Sequence, residues 1–296
     1  MVIQVNRIGH LTLETPDLTR KLDHFTRIIG LSVTEQTQGA VWLACPDGGP
    51  ALVLKHGAKP RPARLSLQLP PSADLAEVAR NLQAQGVATE RRRDPEPGLP
   101  EVLTFTDPNG LEVDLHPERN VPTPRPADGI VPGKLGHVAF FVPDPQATVR
   151  FYCDVLGFRV SDWIGDFFAF LRCNPDHHTL NFFRRTEGGP GLHHMAFELH
   201  DWNHVKDACD TLGRHRVPLT WGPGRHGAGH NIYTYHDDPD GQSVELFTEL
   251  DRMSDEASGQ FDPRPWHLDN PQRPKVWAPG IDATNSWGIP KPPRPA

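Results

Sequence analysis

Two histidines and a glutamate in the C-terminal half have the types and spacing to hold a metal ion. The segment Gly136-His137-Val138-Ala139-Phe140 recurs as His193-His194-Met195-Ala196-Phe197, which puts His137 and His194 at the same point of two equivalent strands facing one cavity. Neighbouring side chains on a strand alternate, so His193 is expected on the opposite face as a hydrogen-bonding residue. The third donor must come from another strand lining that cavity. Glu245, just after the Asp238-Pro239-Asp240-Gly241 turn, is the candidate, while Glu249 sits at the fraying end of the same stretch. Two imidazoles and one carboxylate on one face of an ion leave the other face open, the arrangement of non-haem Fe(II) oxygenases; Mn(II) suits the same donors.

The elements that must position these groups are repeated. Residues 8–33 (IGHLTLETPDLTRKLDHFTRIIGLSV) align without a gap on 135–160 (LGHVAFFVPDPQATVRFYCDVLGFRV), a constant offset of 127 residues that places His10 on His137 and Gly30 on Gly157. TDPNGLEVDL (106–115) matches DDPDGQSVEL (237–246) in the same way. Each copy opens with an alternating strand, a Pro-Asp turn and a helix, here with Ala147, Phe151, Val155 and Leu156 as its buried face. Strands follow over 159–163, 167–172 and 179–183, and the pattern restarts with a strand at 192–199, a helix at 202–212 and strands at 232–235 and 244–248. The expected fold is α+β, with two tandem domains of two βαβββ units each, the sheets curving around a cavity. Domain boundaries are read as 1–120, a Pro/Gly-rich linker at 121–134, 135–250, and a Pro/Trp-rich tail at 251–296 draped over the protein. In the N-terminal copy His10 is kept, but Ser66 is aligned with His194 and Asp114 with Glu245, so that domain is expected to be structural and without metal.

Composition excludes other classes. The formal net charge of -7 leaves no basic footprint for nucleic acid, and the one basic cluster, Arg91 to Arg93, runs straight into Asp94 and Glu96. No apolar run approaches the roughly 20 residues of a membrane span, and the N-terminus MVIQVNRIGH lacks the basic flank and apolar core of an export signal. A cytoplasmic location is expected, with Cys45, Cys153, Cys173 and Cys209 reduced and unconnected to metal.

The stretch RHGAGHNIYTYHDDPDGQSVELF (225–247), taken with the three donors, resembles the type I extradiol dioxygenases of the vicinal oxygen chelate superfamily. The likeness covers about residues 1–250, and its motif elements are His226, Tyr235, Asp238, Pro239, Gly241 and Glu245, in that order. It implies the paired βαβββ (glyoxalase-like) fold, Fe(II), a catechol-type substrate, O2, a 2-hydroxymuconic-semialdehyde type product and a homo-oligomer. It also implies that His178, within RCNPDHHTLNFF (172–183), is an acid–base group outside the metal's own ligands, with His177 facing away. His226 and Tyr235 would touch the catecholate oxygen, and His230 would join Trp163, Phe170 and Phe182 in the cavity wall. Two rivals stand beside this reading: a non-oxidative relative using the metal as a Lewis acid, such as an isomerase or epoxide-opening enzyme, and a metal-free binding module.

Overall fold

A computed structural model describes residues 3–46, 49–118, 128–262, 275–288 and 290–291. The alternating segments of the sequence become strands, and each half holds two βαβββ units. The first half runs β1 (Arg7–Thr15), α1 (Leu18–Asp23, continued by a π-turn over His24–Ile28), β2 (Ser32–Gln36), β3 (Ala40–Ala44), β4 (Pro50–His56), β5 (Arg61–Leu69), α2 (Leu75–Ala84), β6 (Glu90–Glu96), β7 (Leu99–Thr106) and β8 (Glu112–Pro117). The second runs β9 (Lys134–Val142), α3 (Pro145–Leu156), β10 (Arg159–Ile164), β11 (Phe168–Arg172), β12 (Leu180–Arg184), β13 (Gly191–Glu198), α4 (Trp202–Arg214), β14 (Leu219–Arg225), β15 (Ile232–Asp237) and β16 (Ser243–Thr248). Asp17, Asp144 and Asp201 cap α1, α3 and α4 by accepting from backbone N–H groups one turn on. Gly157 ends α3 in the left-handed region (φ 72°), where a Cβ would be strained.

The strands form one eight-stranded sheet, β2-β3-β4-β1-β5-β8-β7-β6, and one nine-stranded sheet, β14-β15-β16-β13-β9-β12-β11-β10 with a strand from the tail at its end. One face of each sheet buries Leu, Val and Phe side chains against the helices, as where Phe182 meets Tyr152 at 4.9 Å between ring centroids. The opposite face of the second sheet curves around the cavity. The expected linker lies outside the described residues as far as 127, as do 263–274, 289 and 292–296 of the expected tail. The described part of the tail has regular structure that its sequence did not announce: a hairpin of β17 (Arg252–Asp255) and β18 (Gln260–Asp262), then β19 (Lys275–Trp277) and α5 (Ile281–Thr284). Strands of three or four residues are too short to display a period. β19 pairs in parallel with β10 and extends the sheet.

The two halves meet by exchanging turns. The turn at Asp107–Gly110 lies against α3, where Asn109 bonds Thr148 (3.2 Å), Tyr152 donates to Asp107 (3.1 Å) and Phe105 packs on Phe151 (6.1 Å). The equivalent turn at Asp238–Gly241 lies against the first helical segment. There His24 and His236 replace the phenylalanine pair, at 5.4 Å. Neither nitrogen of His236, nor Nε2 of His24, has a hydrogen-bond partner among the described residues. Burial, reinforced by His24, pushes the His236 imidazole down to about 3; burial, reinforced by Lys21, takes His24 down to about 4. Both rings therefore stay neutral in the fold while the unfolded chain protonates them near pH 6.5. The unfolded state binds more protons below that value, so stability falls as pH drops from 6.5 toward the folded values. Replacing His236 by Phe, as in the other half, is expected to remove about 1–2 kcal/mol of the stability lost between pH 7 and pH 5. Urea unfolding at both pH values measures this, and an unchanged difference would contradict it.

Candidate metal centre

β16, β13 and β9 are consecutive in the sheet, and their register carries the three candidate donors to one spot. His137 lies level with Ala196, which lies level with Glu245. His194 precedes Ala196 by two residues and so shares its face. The two imidazole Nε2 atoms stand 3.1 Å apart, and Glu245 Oε2 stands 3.2 Å from each. All three side chains are buried. Cis donors on an octahedral ion with bonds of about 2.1–2.2 Å stand about 3.0–3.1 Å apart, so the spacing suits a cation such as Fe(II) or Mn(II). Among the described residues this is the one cluster of its kind.

The carboxylate is held on both oxygens. Asn231 donates to Oε1 (2.9 Å) and the Tyr235 hydroxyl to Oε2 (2.7 Å). Burial alone would raise the Glu245 carboxyl, but the facing His137 and His194 outweigh it and keep the group well below the usual carboxylate range. Burial likewise lowers His194, against the pull of Glu245. A lowered Glu245 carboxyl and a lowered His194 imidazole both favour the forms that bind a metal, an ionised carboxylate and a neutral ring.

Around the donors lies a cavity of about 270 Å³, lined by His178, Asn181, His226, Tyr235 and an apolar wall including Phe168, Phe170 and Phe183. A larger cleft between the halves, about 790 Å³, shares His193 and Lys291 with it but contains none of the three donors.

His226 is fixed by the tail. Its Nδ1 lies 2.6 Å from the Thr284 carbonyl, which can only accept, so the proton sits on Nδ1 and Nε2 offers a lone pair 3.2 Å from the Tyr235 hydroxyl. Burial lowers this imidazole to about 4, against the raising effect of Glu245. The tail comes this close because Gly227 has no side chain: a Cβ there would lie 2.1 Å from the Asp282 carbonyl oxygen.

His178 lines the same cavity, its ring 4.3 Å from that of His137. Burial first, then His137 and His177, push its imidazole well below the ordinary value. Behind it, His177 contacts His178 Nδ1 through its own Nδ1 (3.0 Å) and Asp162 through Nε2 (3.2 Å). Asp162 in turn accepts from the Lys275 backbone and the Trp277 indole, both 2.9 Å.

Four sequence expectations need correction. His193 faces the cavity rather than the opposite side, because a bulge between Leu192 and His194 inserts one residue and resets the alternation. Its Nδ1 stands 2.6 Å from that of His194, and its ring stacks on Phe183. His230 is not among the cavity-lining residues. Its backbone has φ 54°, and Nδ1 turns to Asp251 at 2.7 Å. Phe182 and Trp163 belong to the helix-side core, since Asn181 and Phe170 are the paired residues on the cavity face. In the first half, register places His10, Ser66 and Asp114 level, so Arg64, two residues before Ser66, occupies the position of His194. Arg64 Nη1 stands 3.3 Å from Asp114 Oδ2.

Asn231 and Thr284 were not read from the sequence as site residues. A single Asn between motif residues carries no periodic signal, and a backbone carbonyl in an aperiodic tail carries none at all. Outer groups that orient a ligand typically contribute about 10–100-fold in metal affinity. Asn231→Ala is therefore expected to weaken Mn(II) binding by about tenfold or more, read by titration of metal-free protein; equal affinity would show that Tyr235 alone suffices to hold Glu245.

Comparison with known proteins places this geometry in a family. The chain is 29% identical over 269 residues to metapyrocatechase 2 of Cupriavidus necator, covering 83% of this chain and 82% of the relative. It is 27% identical over 286 residues to an iron-dependent extradiol dioxygenase of Rhodococcus jostii (strain RHA1), covering 86% and 93%. Its fold superimposes with a TM-score of 0.85 on a Mn(II)-bound glyoxalase from Novosphingobium aromaticivorans, at 27% identity over 99% of this chain and 95% of the other. The family model of glyoxalases, bleomycin resistance proteins and dioxygenases matches residues 7–115 and 134–246, one match per half. With both halves matched, the chain belongs to the glyoxalase/bleomycin resistance protein/dioxygenase superfamily.

Proposed function

We propose that this chain is an extradiol dioxygenase that opens a catechol-type ring beside its two hydroxyls and inserts both atoms of O2, giving a 2-hydroxymuconic-semialdehyde type product. The observation that carries the reading is one apolar cavity in which three metal donors, His137, His194 and Glu245, meet three proton-handling groups, His178, His226 and Tyr235. The named extradiol relatives support it. The chemistry lies in residues 135–250, and residues 1–120 serve as a structural partner.

Fe(II) held by these donors, or Mn(II) in its place, supplies chelation of adjacent hydroxyl oxygens, acidification of a bound hydroxyl and electron exchange with O2. The chain's own groups do the rest. His226 Nε2, with its proton committed to Nδ1, accepts the proton of a substrate hydroxyl, and the Tyr235 hydroxyl beside it turns its one proton from Glu245 to that oxygen. His178 is neutral when buried and exchanges a proton with oxygen on the opposite side of the cavity. Phe168, Phe170 and Phe183 pack against the aromatic ring and exclude water. Among the described residues no helix is long and apolar enough to cross a membrane. We place the protein in the cytoplasm as a homo-oligomer, which sedimentation would test.

The likeness to a Mn(II)-bound glyoxalase favours one second reading, a non-oxidative reaction at the same donors. Anaerobic reconstitution with Fe(II), followed by oxygen uptake over a panel of catechols, separates the two. One O2 consumed per catechol with a yellow ring-opened product is expected. Metal-loaded protein that consumes none across the panel would hand the site to the non-oxidative reading. Within the oxidative one, His178→Phe should slow turnover by roughly 10²–10⁴-fold with metal content unchanged; a wild-type rate would remove His178 from the mechanism.

A further inference from the structure

The first half touches the hairpin of the metal centre through a charge. β15 and β16 carry Tyr235 and Glu245 as a registered pair. The turn joining them is closed by Asp238 N–H to the Gln242 carbonyl (2.9 Å) and by Asp238 Oδ1, which accepts from the N–H groups of Asp240 and Gln242. Lys21, from α1 in the other half, reaches into this turn with none of its side chain exposed. Its Nζ stands 2.9 Å from Asp238 Oδ2, 2.7 Å from Asp240 Oδ2 and 2.5 Å from Gln242 Oε1. Two of the ammonium's N–H donors bond Asp240 and Gln242, and the Asp238 carboxylate stands at ion-pair distance.

The repeat supplies an internal comparison. The residue matching Lys21 at the 127-residue offset is Thr148 on α3, and it meets the turn of the first half through a neutral bond to Asn109. The same docking is therefore achieved once with neutral partners around a buried carboxylate, where Tyr152 donates to Asp107, and once with a buried cation. The charged version is the one on the turn that leads, three residues past Gln242, to Glu245. A buried ion pair contributes little net stability compared with well-packed apolar side chains, and its best-attested use is to fix one register among alternatives. β14 flanks β15 down to His236, beside the turn, and is itself the edge of the sheet.

We propose that Lys21 is a positioning residue for the metal centre: by clamping the Asp238–Gln242 turn it sets where Glu245 and Tyr235 stand relative to His137 and His194. The first half is then a jig for the second. The inference rests on the reading of His137, His194 and Glu245 as the metal site.

The test uses full-length protein freed of metal and titrated with Mn(II), followed by electron paramagnetic resonance. Lys21→Met and Asp240→Asn are each expected to weaken Mn(II) binding at least tenfold, in line with other groups that orient ligands from outside, and to change the spectrum of the saturated ion. Asn109→Ala, which loosens the docking without a cation on the other side, is expected to lower the melting temperature while leaving affinity within twofold and the spectrum unchanged. Should Lys21→Met fail to fold, Asp240→Asn decides. A folded variant at either position with wild-type affinity and spectrum would overturn the clamp, as would an equal loss in Asn109→Ala. Wild-type protein that takes up no Mn(II) would overturn the metal centre and the clamp together, which distinguishes the two failures.

Discussion

Two imidazole nitrogens and a carboxylate oxygen, all buried, point at one spot from 3.1–3.2 Å apart. In the form that binds a metal, with both rings neutral, these lone pairs repel unless a positive charge lies among them, so the surrounding structure has to hold the three donors in place. It does so with strand register, which fixes the donors' Cα atoms, and with Asn231 and Tyr235, which use the remaining capacity of Glu245. The first half meets the same constraint with a cation of its own. Arg64 stands at the position of His194 and presents its guanidinium to Asp114, while Thr104 donates to the same carboxylate. The repeated scaffold thus converges charge on the same point in both halves, with a side-chain cation in one and the donors for an external cation in the other.

The C-terminal segment completes the second site from outside the repeat. Thr284 sets the tautomer of His226, and Lys275 and Trp277 hold Asp162, which backs His177 and through it His178. His226 directly, and His178 through His177 and Asp162, are therefore backed by residues 275–284. Lys291 of the same segment lines the cavity together with the donors.

The donors and the paired βαβββ architecture were legible because the sequence repeats: a strand seen twice supplies register that a single strand does not. Legibility failed wherever one residue broke the period. The bulge at His193 moved that ring to the cavity side, and the positive φ of His230 turned its imidazole to Asp251. In the first half, aligning by local sequence chose Ser66 where pairing with His10 and Asp114 selects Arg64, two residues earlier on the same face. Asn231 and Thr284 act through a single amide and a single carbonyl, and Lys21 through contacts some 220 residues away in sequence. None of these relations leaves a periodic trace, so all required the folded chain.

Divergence between the halves follows one direction. Where the first half's turn docks, the contacts are Phe105 on Phe151, Asn109 with Thr148 and Tyr152 with Asp107; where the second half's turn docks, they are His236 on His24 and the aspartates with Lys21. The first set surrounds its carboxylate with neutral donors, whereas the second sets a buried cation among carboxylates, where losing a partner is costly. The polar version lies beside the hairpin that carries Glu245, where an error of a few tenths of an ångström changes a donor distance. If Lys21 clamps the turn as proposed, the added cation sits where donor distances matter, and the docking without a cation remains where packing alone is at stake.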